Sequence, residues 1–327
     1  MPRNKITNTP VQSPVSQALE NATGTIRYTF LNNYMFISIL EKNPDILKSL
    51  VCSLLHLKND DSVSITVMNP ITYGDSPADK TYILDIKVML NGKSMLNLEM
   101  QVTNNHDYNY RATHYLCRVY DNMCKGEDYI SSSPAIHIGF LDYDLYDDEK
   151  EFYSRHLLTN IKTGRIFNDR FEVRIISMRQ TDLATEEDKR YKIDKWVKLF
   201  KATTWEELIM IATTPEMQNA AQNLFKSNSD LTEIFYAQAY EDFVREQART
   251  AKKLAKFEEM SAELKTQAAA LADKDATINT QATALADKDA ALANKDAALA
   301  NKDATISTQA DTIAKLRTLL AQNGITE

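Results

Sequence analysis

Two short segments on either side of an Asn-Gly pair carry the side chains in this sequence that are best suited to chemistry. Within residues 81–102 the even positions are mostly apolar, and the odd positions include five polar side chains: Asp85, Lys87, Asn97, Glu99 and Gln101. A period of two is typical of β-strands with one buried face. The stretch therefore predicts a hairpin whose polar side chains lie together on one face of a sheet.

Two carboxylates and an amide on adjacent strands suit a hard divalent cation such as Mg²⁺, which prefers oxygen ligands. A cation held by Asp85 and Glu99 would activate a water molecule and screen a phosphate during phosphodiester hydrolysis. Lys87 or Gln101 would then orient the nucleophile or contact the phosphate. The alternative is a polar face that is only solvated, because antiparallel sheets often expose one face to water. The alternation alone leaves both interpretations open.

The length of the turn decides whether the two polar rows meet. A two-residue Asn91-Gly92 turn would pair odd positions with even ones and bring a polar row beside an apolar one. A three-residue loop, such as Leu90-Asn91-Gly92 with Gly92 in the left-handed conformation, pairs odd positions with odd ones. We expect the three-residue loop, because it keeps both apolar rows on the buried face.

The bulk composition narrows the class of protein. The chain has 327 residues, 43% of them hydrophobic, which allows one large or two ordinary domains with a substantial core. The formal net charge of -7 means that nucleic-acid binding would require a local basic patch. Three cysteines without a CxxC motif and an N-terminus without an apolar signal core predict a cytoplasmic protein with reduced thiols: Cys52, Cys117 and Cys124.

The patterning divides the chain into three regions. Residues 1–24, rich in Asn, Thr, Pro and Ser, predict a disordered leader. Residues 25–229 predict an α/β domain with C-terminal helices, and residues 230–327 predict a long helix. Within the middle region, strands are expected at 63–68, in the hairpin, at 135–141 and at 171–178. Helices are expected to begin at Asn43-Pro44 and to cover 111–125, with Gly126 as the C-terminal cap. This order predicts a mixed sheet flanked by helices.

The C-terminal region contains a repeat of seven residues. Leucine or isoleucine recurs at this step in units such as ALADKDA and ALANKDA, at positions 264, 271, 278, 285, 292, 299, 306, 313 and 320. In a coiled coil each heptad has a second apolar position, four residues after the first. In this repeat that position is aspartate or alanine, so the apolar stripe along the helix is narrow. A long helix that associates weakly, a stable coiled coil and substantial disorder all remain possible interpretations.

The hairpin sequence LDIKVMLNGKSMLNLEMQV resembles the core of the PD-(D/E)XK nuclease superfamily. More narrowly, the chain is similar to its recombination-promoting nuclease or transposase branch, whose second motif is E-x-Q; the likeness covers residues 28–212. The resemblance implies a restriction-endonuclease-like fold, and Mg²⁺ (or Mn²⁺) held by Asp85, Glu99 and the carbonyl of Met100. It also implies that Gln101 stands where the superfamily has its lysine, and that Lys80 matches a family position that we assign to DNA binding.

Two supporting motifs depart from the family pattern. The opening motif usually reads Asn-Asp-Tyr-x-Phe followed by Lys or Arg, whereas this chain has Asn33 in place of the acid and Ile37 in place of the base. An amide at Asn33 lacks a charge that could hold or position a metal. The strand that carries a Leu-Glu-Leu-x-Lys run in relatives reads Ile175-Ile176-Ser177-Met178-Arg179 here.

Other candidate residues have competing interpretations. No GxxxxGK[ST], GxGxxG or HExxH motif occurs, so nucleotide-binding folds and that type of zinc site are unsupported. His137, inside an apolar strand, is interpreted as a satisfied core residue. Arg111 either pairs with a buried acid or contacts DNA phosphate, and we include it among the DNA-binding candidates. The basic run 245–256 is a phosphate patch or a solvated helix face.

Two functional hypotheses follow. The first is a Mg²⁺-dependent DNA endonuclease of the recombination-promoting or transposase-like type, with Asp85, Glu99, Gln101 and Lys87 in catalysis and a C-terminal helix that joins copies of the chain. The second is a catalytically impaired protein of the same fold that acts as a DNA-associated or oligomerising interaction module. The second hypothesis is motivated by Asn33, which replaces the acid of the opening motif, and by the negative net charge of the chain.

Overall fold

The computed structural model describes residues 14–69, 71–72, 82–83, 85–121, 128–129, 132–148 and 150–323. These residues divide into two compact units, the first ending at Arg245 and the second beginning at Glu246. Within the described ranges, no helix is both long enough and apolar enough to cross a membrane.

A mixed sheet of six strands forms the centre of the first unit. In chain order, the described strands are β1 (Ile65–Met68), β2 (Ile71–Thr72), β3 (Tyr82–Ile83), β4 (Ile86–Leu90), β5 (Ser94–Gln101), β6 (Ala135–Leu141), β7 (Tyr153–Thr159) and β8 (Ile166–Ser177). The order in the large sheet is β1-β4-β5-β6-β8-β7, and β2 and β3 pair separately. β6 is parallel to both β5 and β8, whereas the other neighbours are antiparallel.

Helices cover both faces of this sheet, and the last of them continues into the second unit. They are α1 (Pro14–Glu20), α2 (Asn33–Lys42), α3 (Pro44–Leu54), α4 (Tyr108–Tyr120), α5 (Glu186–Arg190), α6 (Ile193–Lys201), α7 (Trp205–Ile211), α8 (Pro215–Ser229) and α9 (Leu231–Gln322). A 3-10 helix, Met178–Leu183, follows β8 directly. Thr204 is the N-terminal cap of α7, since its side chain accepts a hydrogen bond from the backbone N–H of Glu207.

The even-numbered face of the hairpin lies in the main hydrophobic core. Val88 and Leu98 are fully buried there, together with side chains of α2, α3 and α6. Phe36 and Phe200 pack edge to face with Phe140 of β6, at centroid distances of 5.8 and 5.5 Å. The opposite face of the sheet is covered by α4. The predicted mixed sheet flanked by helices is therefore confirmed.

Several local predictions need correction. Residues 14–20 of the predicted leader form α1, and Leu19 is buried in the main core. The strand expected at 171–178 begins at Ile166, and it pairs with β7, which the patterning did not predict. The helix expected at 111–125 spans Tyr108–Tyr120 in the described range. Its expected cap, Gly126, and the candidate Lys80 lie outside the described residues.

The first compact unit extends beyond the boundary expected at residue 230, to Arg245, and includes the base of α9. Ala237 is fully buried, and its carbonyl accepts a hydrogen bond of 3.1 Å from the side chain of Asn32. Glu233 forms an ion pair of 2.8 Å with Lys42 of α2 and accepts a hydrogen bond from Tyr34. These contacts attach residues 231–245 to α2.

Candidate active site

The hairpin register places Asp85 opposite Glu99. Ile86 pairs with Leu98 and Leu90 pairs with Ser94, so odd positions oppose odd positions, as predicted. Asp85 directly precedes β4, and continuing this register sets it across from Glu99. The loop comprises Asn91 to Lys93 rather than the expected Leu90 to Gly92, and Gly92 has the predicted left-handed conformation, with φ of 63°.

Asp85 is held at the end of the hairpin by hydrogen bonds. Its Oδ2 accepts a hydrogen bond of 3.2 Å from the backbone N–H of Met100, and its carboxylate accepts another from the side chain of Asn33. Burial raises the pKa of Asp85 to about 6, although the bonds from Met100 and Asn33 and the charge of Arg111 oppose this rise. Asp85 is therefore mainly ionised at neutral pH but titrates close to it.

Glu99 lies beneath α4 and is not solvated. Its side chain is 1% exposed, and its Oε1 forms an ion pair with the guanidinium of Arg111, the side chain of which is 33% exposed. Arg111 also lies against the ring of Tyr115, 5.6 Å from its centroid. Asn97 and Gln101 on the same strand are buried as well. The interpretation of this row as a merely solvated face is therefore wrong.

His137 is a neighbour of Glu99 that the patterning placed in the core without a link to the site. In the parallel register it pairs with Asn97, the side-chain nitrogen of which lies 2.9 Å from His137 Nδ1. His137 Nε2 lies 3.2 Å from the Tyr108 hydroxyl and 3.4 Å from Glu99 Oε2. Burial, with a smaller contribution from the charge of Arg111, lowers the pKa of His137 to about 3. His137 is therefore neutral, and it hydrogen-bonds rather than titrates near pH 7.

Gly139 makes room for this arrangement. It pairs with Glu99 in the register between β5 and β6. A Cβ atom at this position would collide with the hydroxyl and ring of Tyr108. The absence of a side chain at Gly139 therefore lets Tyr108 reach His137 from the first turn of α4.

The base of α9 reaches the site through Tyr240. Burial raises the pKa of Tyr240, and the charge of Asp85 raises it further, whereas a hydrogen bond with the Asn33 side chain lowers it. Asn33 thus contacts both Asp85 and Tyr240. No feature of the sequence pattern identifies Tyr240 as a neighbour of the hairpin, because more than a hundred residues separate them.

The remaining predicted residues are placed less centrally. Lys87 pairs with Asn97, is half-buried and forms no ion pair with a described carboxylate. Burial lowers the pKa of its ammonium group. Gln101 donates a hydrogen bond of 3.2 Å to the carbonyl of Thr103, and its buried Oε1 has no hydrogen-bond partner among the described residues. Gln101 therefore has an oxygen available to a ligand.

Arg111 and the first arginine of the basic run, two of the candidates for DNA contact, already form ion pairs. Arg111 pairs with Glu99, which corresponds to the first of its two predicted interpretations. In the basic run, Arg245 pairs with Asp242 at 2.9 Å. Exposed pairs three residues apart on a helix are typical of a solvated face, so the run provides weak support for a phosphate patch.

The donor chemistry of the site fits a hard divalent cation. The carboxylates of Asp85 and Glu99 and the unpartnered amide oxygen of Gln101 are oxygen donors. Within the described ranges, no cluster of three or more His, Cys, Asp or Glu side chains could hold a metal. The fit therefore depends on two carboxylates supplemented by amide or backbone oxygens, and Arg111 must leave Glu99 before a cation can contact that carboxylate.

A family model described as "PD-(D/E)XK nuclease family transposase" matches residues 30–272. The match begins before α2 and ends within α9, so it includes the hairpin, α4 and the base of the long helix. No curated protein and no solved structure matches the chain.

Proposed function

Because this chain belongs to the PD-(D/E)XK nuclease family transposases, we propose that its hairpin site hydrolyses phosphodiester bonds in DNA with a divalent metal ion. The mixed sheet flanked by helices is consistent with a restriction-endonuclease-like fold. The observation that carries the proposal is the register that sets Asp85 across from Glu99 at one end of the hairpin, where the backbone N–H of Met100, the residue after Glu99, donates a hydrogen bond to Asp85.

Asp85, Glu99 and the carbonyl of Met100 are the proposed metal ligands, and Mg²⁺ or Mn²⁺ is the proposed ion. A bound ion of this kind supplies an activated water molecule and neutralises charge on the phosphate. Gln101 would orient the attacking water through its free Oε1. Lys87, two residues along the strand from Asp85, would contact the phosphate of the DNA.

Arg111 has two successive roles in this proposal. Without metal it neutralises Glu99, which would otherwise be a buried unpaired charge. If Glu99 held a metal ion instead, the guanidinium of Arg111, the side chain of which is partly exposed, would be available to contact a DNA phosphate. Lys80 is proposed as a second phosphate contact, on the family resemblance alone.

The finer parts of the function are proposals as well. We propose the recombination-promoting type of endonuclease, acting in the cytoplasm as a homo-oligomer joined by the long helix. Two joined copies could cut both strands of a duplex, because each site would act on one strand.

One observation favours a second candidate, an impaired nuclease that serves as a DNA-associated or oligomerising interaction module. Asn33 donates a hydrogen bond to Asp85 where relatives carry an acid, and Arg111 neutralises Glu99. Both contacts stabilise the two carboxylates without a metal. A protein that had lost catalysis would retain this arrangement for its structural value.

The experiment is plasmid cleavage with Mg²⁺ or Mn²⁺ by the wild type, Asp85→Asn and Glu99→Gln. The exposed Asp148→Asn and Glu258→Gln substitutions are matched controls, since neither residue lies in the site. We expect both site variants to lose about 100-fold or more in cleavage rate, a barrier increase of about 2.7 kcal/mol. Equal cleavage by all five proteins would exclude the site. Absence of metal-dependent cleavage by the folded wild type would support the interaction module.

A further inference from the structure

The second unit presents one continuous apolar row to solvent. Leucine and isoleucine side chains along α9 at intervals of seven residues are between 43% and 63% exposed, at positions 264, 271, 278, 285, 292, 299, 306, 313 and 320. We name these nine side chains the leucine row. A row of this length on a helix has no covering element in the described chain, so a second helix is its natural partner.

The leucine row is bordered by opposite charges on its two sides. Lysines follow its members by three residues, at Lys274, Lys288, Lys295 and Lys302, and aspartates follow by four, at Asp275, Asp289, Asp296 and Asp303. A helix advances about 100° per residue, so these two sets lie on opposite sides of the row. None of the four lysines forms an ion pair within the described part of the second unit. Each copy therefore carries a lysine border and an aspartate border.

We propose that two copies of the chain associate in parallel through the leucine row. This inference rests on the self-association in the proposed function and adds its geometry. In a parallel pair with twofold symmetry, the lysine border of one helix faces the aspartate border of the other, and the same holds on the other side. In an antiparallel pair, lysines face lysines and aspartates face aspartates. Charge complementarity therefore selects the parallel pair.

The charged borders determine whether the two helices are parallel or antiparallel, because the apolar contact between them is narrow. Each heptad contributes one large apolar residue, and no second large apolar residue follows it three or four positions later in the charged repeats, where the lysine and aspartate borders lie instead. A seam of this kind gives little preference for one direction of the partner helix. Repulsion between like-charged borders, repeated four times along the row, then determines which arrangement forms.

The direction of the pair has a consequence for the first unit. In a parallel pair both helices begin at the same end, so both hairpin sites are attached at that end. In an antiparallel pair the starting points of the two helices would be separated by on the order of 100 Å, since a helix rises about 1.5 Å per residue. The parallel pair therefore joins two copies of the first unit to the same end of the paired helices.

The first test exchanges the two borders in the full-length chain. The swapped variant carries K274D/D275K, K288D/D289K, K295D/D296K and K302D/D303K, which leaves composition and net charge unchanged. Each protein should pair with itself in a parallel dimer, because its borders remain complementary. A mixed pair of wild type and swapped variant would set like charges together in the parallel arrangement but opposite charges in the antiparallel one.

The two proteins are coexpressed with different affinity tags, and the pairs are counted by native mass spectrometry. If pairing were random, half of all pairs would be mixed; we expect the mixed fraction to be far below one half. Raised salt should increase the mixed fraction, because it screens the charges of the two borders. Mixed pairs at or above half would overturn the parallel arrangement. A monomeric wild type in light scattering would overturn the association itself.

The second test uses cysteine cross-links near the two ends of the leucine row. Leu264→Cys and Ile313→Cys are made separately in a chain carrying Cys52→Ala, Cys117→Ser and Cys124→Ser. With an added oxidant, each variant alone should form a covalent dimer if the helices are parallel. Cross-links that form only when the two variants are mixed would indicate antiparallel helices. Neither test uses cleavage, so failure of the nuclease proposal leaves both readouts intact.

Discussion

Arg111 and Glu99 form an ion pair in which the acid is buried and the base reaches the surface. The contact joins the first turn of α4 to the central strand β5. A guanidinium at this carboxylate provides the positive charge that a divalent ion would provide in the metal-bound site. Under the proposed function, the two cations would compete for Glu99, and a stronger ion pair would make metal binding less favourable.

Replacing Arg111 by methionine should separate the contribution of the ion pair to stability from its effect on metal binding. Without metal, Arg111→Met leaves Glu99 buried and unpaired, and it should lower the free energy of unfolding by about 3 kcal/mol. Adding Mg²⁺ or Mn²⁺ should raise the melting temperature of the variant more than that of the wild type, because the ion no longer competes with a resident cation. Thermal unfolding with and without metal measures both effects.

Arg165→Met serves as the control for that comparison, because Arg165 lies in an exposed turn and has no ion-pair partner among the described residues. It should leave both the stability and the metal response at wild-type values. An identical metal-induced shift in the Arg111 variant and the wild type would exclude competition at Glu99.

The raised pKa of Asp85 predicts a pH dependence of stability. The folded protein holds a proton on Asp85 up to about pH 6, above the ordinary value of 3.8. The contribution of Asp85 to stability is therefore greatest below the ordinary value and is lost as pH rises through 6. Asp85→Asn lacks this titration, so the wild type should lose stability relative to the variant between about pH 4 and 7. Urea unfolding without metal, at several pH values, measures the difference; a constant difference would contradict the raised pKa.

The hairpin could be predicted because its physical determinants are local. Alternation fixes which residues share a face, and burial of the apolar rows requires an odd loop, so the sequence specified that odd positions of one strand pair with odd positions of the other, as Lys87 does with Asn97. The exact loop was not fixed by this argument, since shifting it by one residue preserves the parity. The observed loop places Asn91 and Gly92 in left-handed conformations, which both residue types tolerate.

The surroundings of the hairpin could not be predicted because they depend on distant residues. His137 has the pattern of a core residue, and only the parallel register of β5 and β6 sets it beside Asn97 and Glu99. Tyr240 approaches Asn33 because the base of α9 packs on α2. β7 was missed because its residues are largely exposed and carry no strong alternation. Such contacts arise from tertiary packing rather than from local pattern.

Gly139→Ala should destabilise the protein even though alanine is the better strand residue. A Cβ atom at this position collides with Tyr108, so the change should cost about 1–3 kcal/mol. The penalty should shrink in the presence of Tyr108→Leu, which removes the colliding ring. A double-mutant cycle by urea unfolding measures this coupling. Additive effects of the two substitutions would contradict the close approach.

Truncation should reveal where the first unit ends. A chain ending at Arg245 retains Glu233, Ala237 and Tyr240. It should therefore unfold cooperatively, at a temperature close to that at which the first unit unfolds in the full-length chain. A chain ending at Ser229 loses the buried Ala237 and the ion pair between Glu233 and Lys42, so it should melt markedly lower. Calorimetry compares the two. Equal melting temperatures would return the boundary to residue 230.

Asn33→Asp introduces the acid that the family resemblance implies for this position, and it tests what the amide does in this chain. The substitution removes the N–H donor to Asp85 and adds a like charge beside it, so the pKa of Asp85 should rise further. Without metal, the free energy of unfolding should fall by about 2 kcal/mol, the typical contribution of a hydrogen bond to a charged group. With Mg²⁺ or Mn²⁺, the melting temperature should rise more than in the wild type, because a charged carboxylate replaces a neutral amide beside the proposed ion. The exposed Asn301→Asp is the matched control. An unchanged metal response would show that Asn33 does not face the ion, and cleavage gained only by Asn33→Asp would identify the amide as the cause of an impaired site.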